Sequence, residues 1–213
     1  MSKELIMRII SSLILLPLSF YFIIKGNVLF TLFTLIILLI TLYEWHLLSY
    51  KKKYYLPGII FIFFSIYTFY YFRNEGEYNI FLLIIIVCIG TDIGGYAFGK
   101  FLKGPKLTKI SPNKTYSGMF GSFILSIVFA YIYFKNLSFF SFLAVDKIEQ
   151  QTIYIVIFIS ILSQIGDIII SLFKRKSKLK NTGVIIPGHG GLLDRIDGMI
   201  FAFPFIFILF KII

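Results

Sequence analysis

Residues Ile80–Phe98 read Ile-Phe-Leu-Leu-Ile-Ile-Ile-Val-Cys-Ile-Gly-Thr-Asp-Ile-Gly-Gly-Tyr-Ala-Phe, with Asp92 as their one charge. A helix crossing a bilayer needs roughly 20 predominantly apolar residues at 1.5 Å rise. This stretch meets that length, and comparable runs recur on both sides of it: Ile9–Ile24, Val28–Leu48, Leu56–Phe72, Ser117–Phe134, Ile153–Phe173 and Gly198–Ile213. The first and last are short, and Pro17 and Pro204 are expected to bend them. Leu137–Val145 is too short to span and is expected to lie at the interface or re-enter.

Composition agrees. The 213 residues are 58% hydrophobic and 15% charged, with mean hydropathy +0.90. Soluble domains carry about 25% charged residues, so too little polar surface exists to cover a water-soluble globule. The expected fold is all-α: one polytopic transmembrane helical bundle of about seven spans over residues 1–213. No fixed-period repeat or low-complexity linker divides it. Lys3 and Arg8 precede the first apolar run without a small-residue cleavage site after it, which points to a retained span rather than a removed signal. Cys88 is the sole cysteine, so neither a disulfide framework nor a cysteine metal site is expected.

The net charge of +11 raises the question of nucleic acid. The cations, however, fall in short runs between apolar segments, as cytoplasmic loops do. With the N-terminus inside, the cytoplasmic segments hold Lys3, Arg8, Lys51–Lys53, Lys100, Lys103, Lys106, Lys109, Lys114, Lys174–Lys176, Lys178, Lys180 and Arg195. Of the 21 cations, only Lys25, Arg73, Lys135, Lys147 and Lys211 lie opposite. The expected topology is N-terminus cytoplasmic and C-terminus outside, with a lipid bilayer and no nucleic acid as partner.

Ten acidic residues exist. Glu4, Glu75, Glu77, Asp146 and Glu149 read as solvated tails and loops. Glu44, Asp92 and Asp167 lie within spans, and Asp194 and Asp197 just before the last one. A carboxylate in hydrocarbon costs several kcal/mol and normally faces a cavity, a partner or an ion. The spans carrying Glu44, Asp92 and Asp167 all run inward, and each acid lies in its second half. Carboxylates below basic loops suggest a metal bound to polyanionic phosphate, approached from the cytoplasm. Beside Glu44, Trp45 and His46 read equally well as interfacial anchors.

Two basic segments carry the candidate chemistry. In residues 91–118, Gly94 and Gly95 beside Asp92 permit close helix approach, while Ser111, Lys114 and Thr115 suit phosphate contacts. In residues 164–198, Asp167, Ser171 and Lys174 share a helix face. Arg175, Lys176, Lys178 and Lys180 follow, and then Pro187-Gly188-His189-Gly190-Gly191-Leu192-Leu193-Asp194-Arg195-Ile196-Asp197. Glycines around one histidine permit a tight turn whose backbone approaches a ligand. Asp194 and Asp197, three apart, can face one site if a helix begins there.

Ser171-x-x-Lys174-Arg175 followed by Pro187-x-His189-Gly190-Gly191-x-x-Asp194-Arg195-x-Asp197 is similar to the motif of the phosphatidate cytidylyltransferase family. The Asp92 segment and Ser111-Pro112-x-Lys114-Thr115 resemble that family's upstream elements, in the expected order. The pattern departs from the family at Asn181, Asn113 and Ser117. The resemblance implies a bacterial inner-membrane enzyme, its active site facing the cytoplasm, that transfers CMP from CTP to phosphatidic acid with Mg²⁺. It leaves room for a second, monovalent cation and for a homodimer.

The resemblance places Asp167, Asp194, Asp197 and Asp92 at the metal, with Asp167, Asp194, Asp197, His189 and Lys174 as the catalytic set. Lys174, Arg175, Arg195, Ser171, Lys114, Thr115, Gly190 and Gly191 would contact substrate. His189 would orient phosphate or serve structurally. Two rivals share part of this pattern. A CTP-dependent lipid-alcohol kinase, or a transferase using another lipid phosphate, needs similar groups. An ion-coupled transporter also needs intramembrane carboxylates, but not the histidine–glycine turn.

Overall fold

The computed structural model describes residues 3–75, 78–108, 110–111, 114–140 and 150–212. Glu77, Lys109, Pro112, Asn113, Asp146, Lys147, Glu149 and the stretch 141–145 lie outside the described residues. Among the described residues seven helices follow one another: α1 Lys3–Lys25, α2 Asn27–Ser49, α3 Tyr55–Asn74, α4 Tyr78–Phe101, α5 Tyr116–Phe140, α6 Gln150–Lys176 and α7 Leu193–Ile212. Among the described residues β-structure is limited to two isolated bridges, Lys106 with Thr115 and Ile186 with Gly190.

Each expected apolar run is the interior of one helix, since a backbone in lipid satisfies its hydrogen bonds within the segment. Among the described residues five helices, α2 to α6, contain segments long and apolar enough to cross a membrane. The chain is an integral membrane protein, with large apolar side chains such as Leu13, Leu39, Ile60 and Ile132 facing outward. Helix boundaries correct the sequence reading in two places. Residues 137–140 continue α5 rather than forming a separate interfacial piece. Helix α7 begins at Leu193, so Asp194 lies in its first turn and Asp197 one turn further in. Helices α1 and α7 run through Pro17 and Pro204 without interruption.

Side-chain contacts sort the connections onto two ends. At one end Lys52 Nζ donates to Lys176 O and Ser177 Oγ, Ser177 Oγ to Leu48 O, Arg175 Nε to Ile110 O, and Arg8 Nε to Gly188 O. The start of α1 and the α2–α3, α4–α5 and α6–α7 connections therefore meet there. At the other end Arg73 Nε donates to Ile23 O at 2.7 Å, capping the C-terminus of α1, and Lys211 Nζ reaches Tyr71 Oη. Arg8, Lys52 and Arg175 thus fall at one end and Arg73 and Lys211 at the other, the same separation expected for these five from the sequence.

Without a hydrophobic drive between helices in lipid, close packing depends on small residues. Helices α4 and α5 meet on such a face: a Cβ at Gly94 would strike the Gly121 backbone, and one at Gly118 would lie 2.8 Å from Gly95 O. Helices α6 and α7 do the same, with a Cβ at Gly166 standing 2.5 Å from Asp197 O. One apolar cluster, including Phe30, Phe81, Ile84 and Phe203, fills the middle of the bundle. A second, with Trp45, Leu48, Ile62, Ile170 and Leu193, lies under the α6–α7 loop. Trp45 is thus a core residue, packed over Gly58 and donating Nε1–H to Tyr55 O at 3.0 Å, rather than an interfacial anchor.

Candidate active site

Three carboxylates arrive on three helices: Asp92 from α4, Asp167 from α6 and Asp197 from α7. They lie within electrostatic reach of one another. Asp197 is buried beneath the glycine contact between α6 and α7, while Asp167 keeps a third of its side-chain surface open. Lys114 Nζ stands 2.5 Å from Asp167 Oδ2 and donates to Gln164 O at 3.4 Å. Ser171 Oγ donates to Asp167 Oδ1 at 3.3 Å, one turn along α6. Lys114 and Arg195 both act electrostatically on Asp92, and Lys174 acts on Asp197.

Beside this cluster stands a second pair. Lys174 Nζ lies 2.7 Å from Asp194 Oδ1, with both side chains largely covered. Asp194 Oδ2 accepts N–H bonds from Thr182 at 2.8 Å and Gly191 at 3.2 Å. Asp194 therefore closes the base of the α6–α7 loop while holding Lys174. The spacing of Asp194 and Asp197 suggested one shared point. The structure instead turns Asp194 towards Lys174 and the loop, and groups Asp197 with Asp92 and Asp167.

The glycines of the loop have distinct causes. Gly188 and Gly190 adopt φ +75° and +92°, a left-handed conformation that costs other residues energy. Gly191 leaves no room for a Cβ, which would collide with Thr182 Oγ1 and Glu44 Oε2. His189 points away from the carboxylates to α1, with Ser11 Oγ 2.8 Å from Nδ1 and Ser12 Oγ 3.3 Å from Nε2. Arg195 spans the turn by donating to His189 O at 2.8 Å. Partial burial, then the charges of Arg195 and Arg8, hold the His189 pKa below its ordinary 6.5, favouring a neutral ring.

Thr115 is the N-cap of α5: Oγ1 accepts from Gly118 N at 3.1 Å and bonds Ser117 Oγ at 2.9 Å. Ser117 Oγ also donates to Lys103 O. Arg175 is exposed at the rim, held to Ile110 O. Residues beyond the motifs complete the site. Glu44 was visible as an acid inside an apolar run, but its partners were not. Gln164, Thr182, Ser11, Ser12 and Arg8 carry no spacing signal that links them to the loop.

Carboxylate oxygens are the donor type that a hard divalent cation takes. Magnesium takes oxygen ligands, uses one or two carboxylates, and completes its shell with water and substrate phosphates. Asp92, Asp167 and Asp197 offer carboxylate oxygens that repel each other and gain from a cation between them. Among the described residues no three His, Cys, Asp or Glu side chains stand close enough together to hold a metal ion by themselves. A cation bound here would therefore depend on substrate phosphates and water for the rest of its shell.

Comparison with known proteins shows what the chain is similar to. The model of the Cytidylyltransferase family matches residues 61–213. A phosphatidate cytidylyltransferase of Rickettsia bellii (strain RML369-C) is 34% identical over 213 residues, covering 96% of this chain and 90% of the relative. One of Bacillus subtilis (strain 168) is 38% identical over 151 residues, 66% of this chain and 52% of the relative. One of Staphylococcus aureus (strain COL) is 39% identical over 157 residues, 71% of this chain and 54% of the relative. The alignments thus span about half the length of the Bacillus and Staphylococcus relatives and nearly all of the Rickettsia one.

Proposed function

This chain belongs to the cytidylyltransferase family, and from that premise we propose that it transfers CMP from CTP to phosphatidic acid. The products are CDP-diacylglycerol and pyrophosphate. The observation that carries the reading is the meeting of Asp92, Asp167 and Asp197 with Lys114, Lys174 and Arg195 at one end of the bundle. Such a site holds a cation and several phosphates together, as joining two polyanions requires.

An oxygen of the lipid phosphate attacks the α-phosphorus of CTP, and the bond from that phosphorus to the bridging oxygen breaks as pyrophosphate leaves. The attacking phosphate is already anionic at neutral pH, so no strong general base is needed. The barrier lies in bringing like charges together and stabilising charge on the transferring group. Asp92, Asp167 and Asp197 would hold Mg²⁺, which supplies Lewis-acid neutralisation of phosphate oxygens. Lys174, positioned by Asp194, and Arg195 on the first turn of α7 face the phosphates. Lys114 is poised to exchange Asp167 for a phosphate oxygen. Arg175 at the rim suits the entering triphosphate.

The positive-inside distribution supports seven crossings with the N-terminus in the cytoplasm, so that the site opens to the compartment holding CTP. The expected membrane is the bacterial inner membrane. The bilayer supplies the lipid laterally, and the basic loops serve phosphate rather than nucleic acid.

The test is purified protein in mixed micelles with labelled CTP, phosphatidic acid and Mg²⁺. Formation of CDP-lipid with equimolar pyrophosphate is expected. Release of CDP would indicate a kinase instead, and absence of both products where a Rickettsia relative is active would end the proposal.

A further inference from the structure

The structure assigns Glu44 of α2 as the positioning residue that fixes the α6–α7 loop, and through it Lys174, for binding of the nucleotide triphosphate. Glu44 is fully buried. Its Oε1 accepts from Leu192 N at 2.8 Å, and its Oε2 accepts from Leu193 N at 2.8 Å and Thr182 Oγ1 at 2.7 Å. In these three bonds what faces the Glu44 carboxylate is amide and hydroxyl. Leu192 and Leu193 open α7, whose N-terminal dipole favours an anion there. A buried carboxylate survives only with such compensation.

Glu44 joins both ends of the segment that contains the histidine turn. Thr182 lies at the start and Leu192–Leu193 at the end. The same Thr182 gives its N–H to Asp194 Oδ2, and Asp194 Oδ1 holds Lys174. Displacing Glu44 therefore frees Thr182, loosens the base of the loop and releases the clamp on Lys174. The glycines agree with this geometry. A Cβ at Gly183 would lie 2.8 Å from Glu44 Oε1, and one at Gly191 would collide with Oε2. No other residue type fits against the carboxylate at either place.

Glutamine cannot replace it. One fixed backbone N–H points at each oxygen, so the amide NH₂ of a glutamine at this position would face an N–H in either orientation. Glu44→Gln keeps volume and removes the fit. Glu44 touches no substrate in this account, and its effect should appear in one substrate's binding rather than uniformly.

The inference rests on the cytidylyl-transfer reading, and its test has two arms. In the kinetic arm, Glu44→Gln should raise KM for CTP about tenfold while KM for phosphatidic acid stays within about twofold. Thr182→Val, which removes one contact and leaves the Thr182 N–H, should raise KM for CTP about threefold and serves if Glu44→Gln does not fold. In the second arm, amide exchange across residues 182–193 should accelerate in both variants, independently of activity. Wild-type KM and exchange in the variants would overturn the assignment. So would an equal rise in KM for both substrates, or a lower maximal rate that only tracks the loss of folded protein. If the wild type makes no CDP-lipid, the reaction reading fails, and unchanged exchange would still be needed to remove Glu44 as the loop's clamp.

Discussion

Lys114 Nζ lies 2.5 Å from Asp167 Oδ2, tying the turn before α5 to the C-terminal half of α6. The cation of the protein itself thus occupies one of the carboxylates assigned to the metal. Replacing Lys114 by Met removes that competitor and leaves Asp92, Asp167 and Asp197 more in need of Mg²⁺. The Mg²⁺ concentration for half-maximal rate should fall several-fold. The phosphate contact is lost as well, so kcat should drop about 100-fold. A Mg²⁺ titration of turnover reads both, and a rise in the Mg²⁺ requirement would place Lys114 outside the metal site. Chelation with EDTA should abolish activity of the wild type and restoration of Mg²⁺ should return it.

Asp194 and Lys174 form a largely covered pair, so removing one partner strands the other. Breaking a buried pair costs about 3–5 kcal/mol. Asp194→Asn sets an amide NH₂ against either Lys174 or the two backbone N–H donors from Thr182 and Gly191. It should lower turnover at least about 100-fold and also lower the unfolding temperature in detergent. Adding Lys174→Met should recover part of the stability without recovering activity. Recovery of activity in the double variant would mean that the pair only braces the loop.

The α4–α5 contact predicts a difference between adjacent glycines. A Cβ at Gly94 would meet the Gly121 backbone, which cannot rotate away, whereas one at Gly95 meets only Ser122 Oγ at 3.0 Å. Gly94→Ala should destabilise by about 1–3 kcal/mol, as overpacking does, and Gly95→Ala should be tolerated within about 1 kcal/mol. Thermal unfolding of the two proteins in the same detergent decides it. Equal stability would show that the helices separate freely.

Much of this was legible beforehand, because lipid imposes a length and a polarity that local sequence must obey. The interior of every helix was readable from its apolar run; Asp92 and Asp167 stood out by their cost in hydrocarbon, and Asp197 by its spacing from Asp194 and the motif around it. Long-range partners were not legible. Nothing in the spacing says that Glu44 accepts from Leu192 and Leu193, which lie more than a hundred positions away, or that Ser11 and Ser12 meet His189. Asp194 shows the limit from the other side. Three positions before Asp197 it promised a shared ligand point, but the start of α7 at Leu193 gives it the loop's N–H donors. Thr115 likewise offered a hydroxyl to phosphate by composition, and the start of α5 takes that hydroxyl for a cap. Polar residues near helix ends are claimed first by unsatisfied backbone, and a sequence pattern does not reveal which claim wins.

His189 provides a prediction in pH. Its ring is held by Ser11 and Ser12 and lies near Arg195 and Arg8, and its pKa stands below the ordinary 6.5 through partial burial and those charges. The folded protein therefore binds fewer protons at this site than the unfolded chain between the two values. Stability contributed by the neutral ring is fully present above about pH 6.5 and is lost as pH falls through the lower folded value. Arg8→Gln removes one repelling charge and should move the titration midpoint upward. The ring resonances of His189 in micelles, separated from His46 with a His189→Gln control, report it directly. An unchanged midpoint would show that the Arg8 charge does not act on the His189 ring. A wild-type midpoint above 6.5 would show instead that the two serines hold a charged imidazolium, reversing the direction in which acid affects the loop.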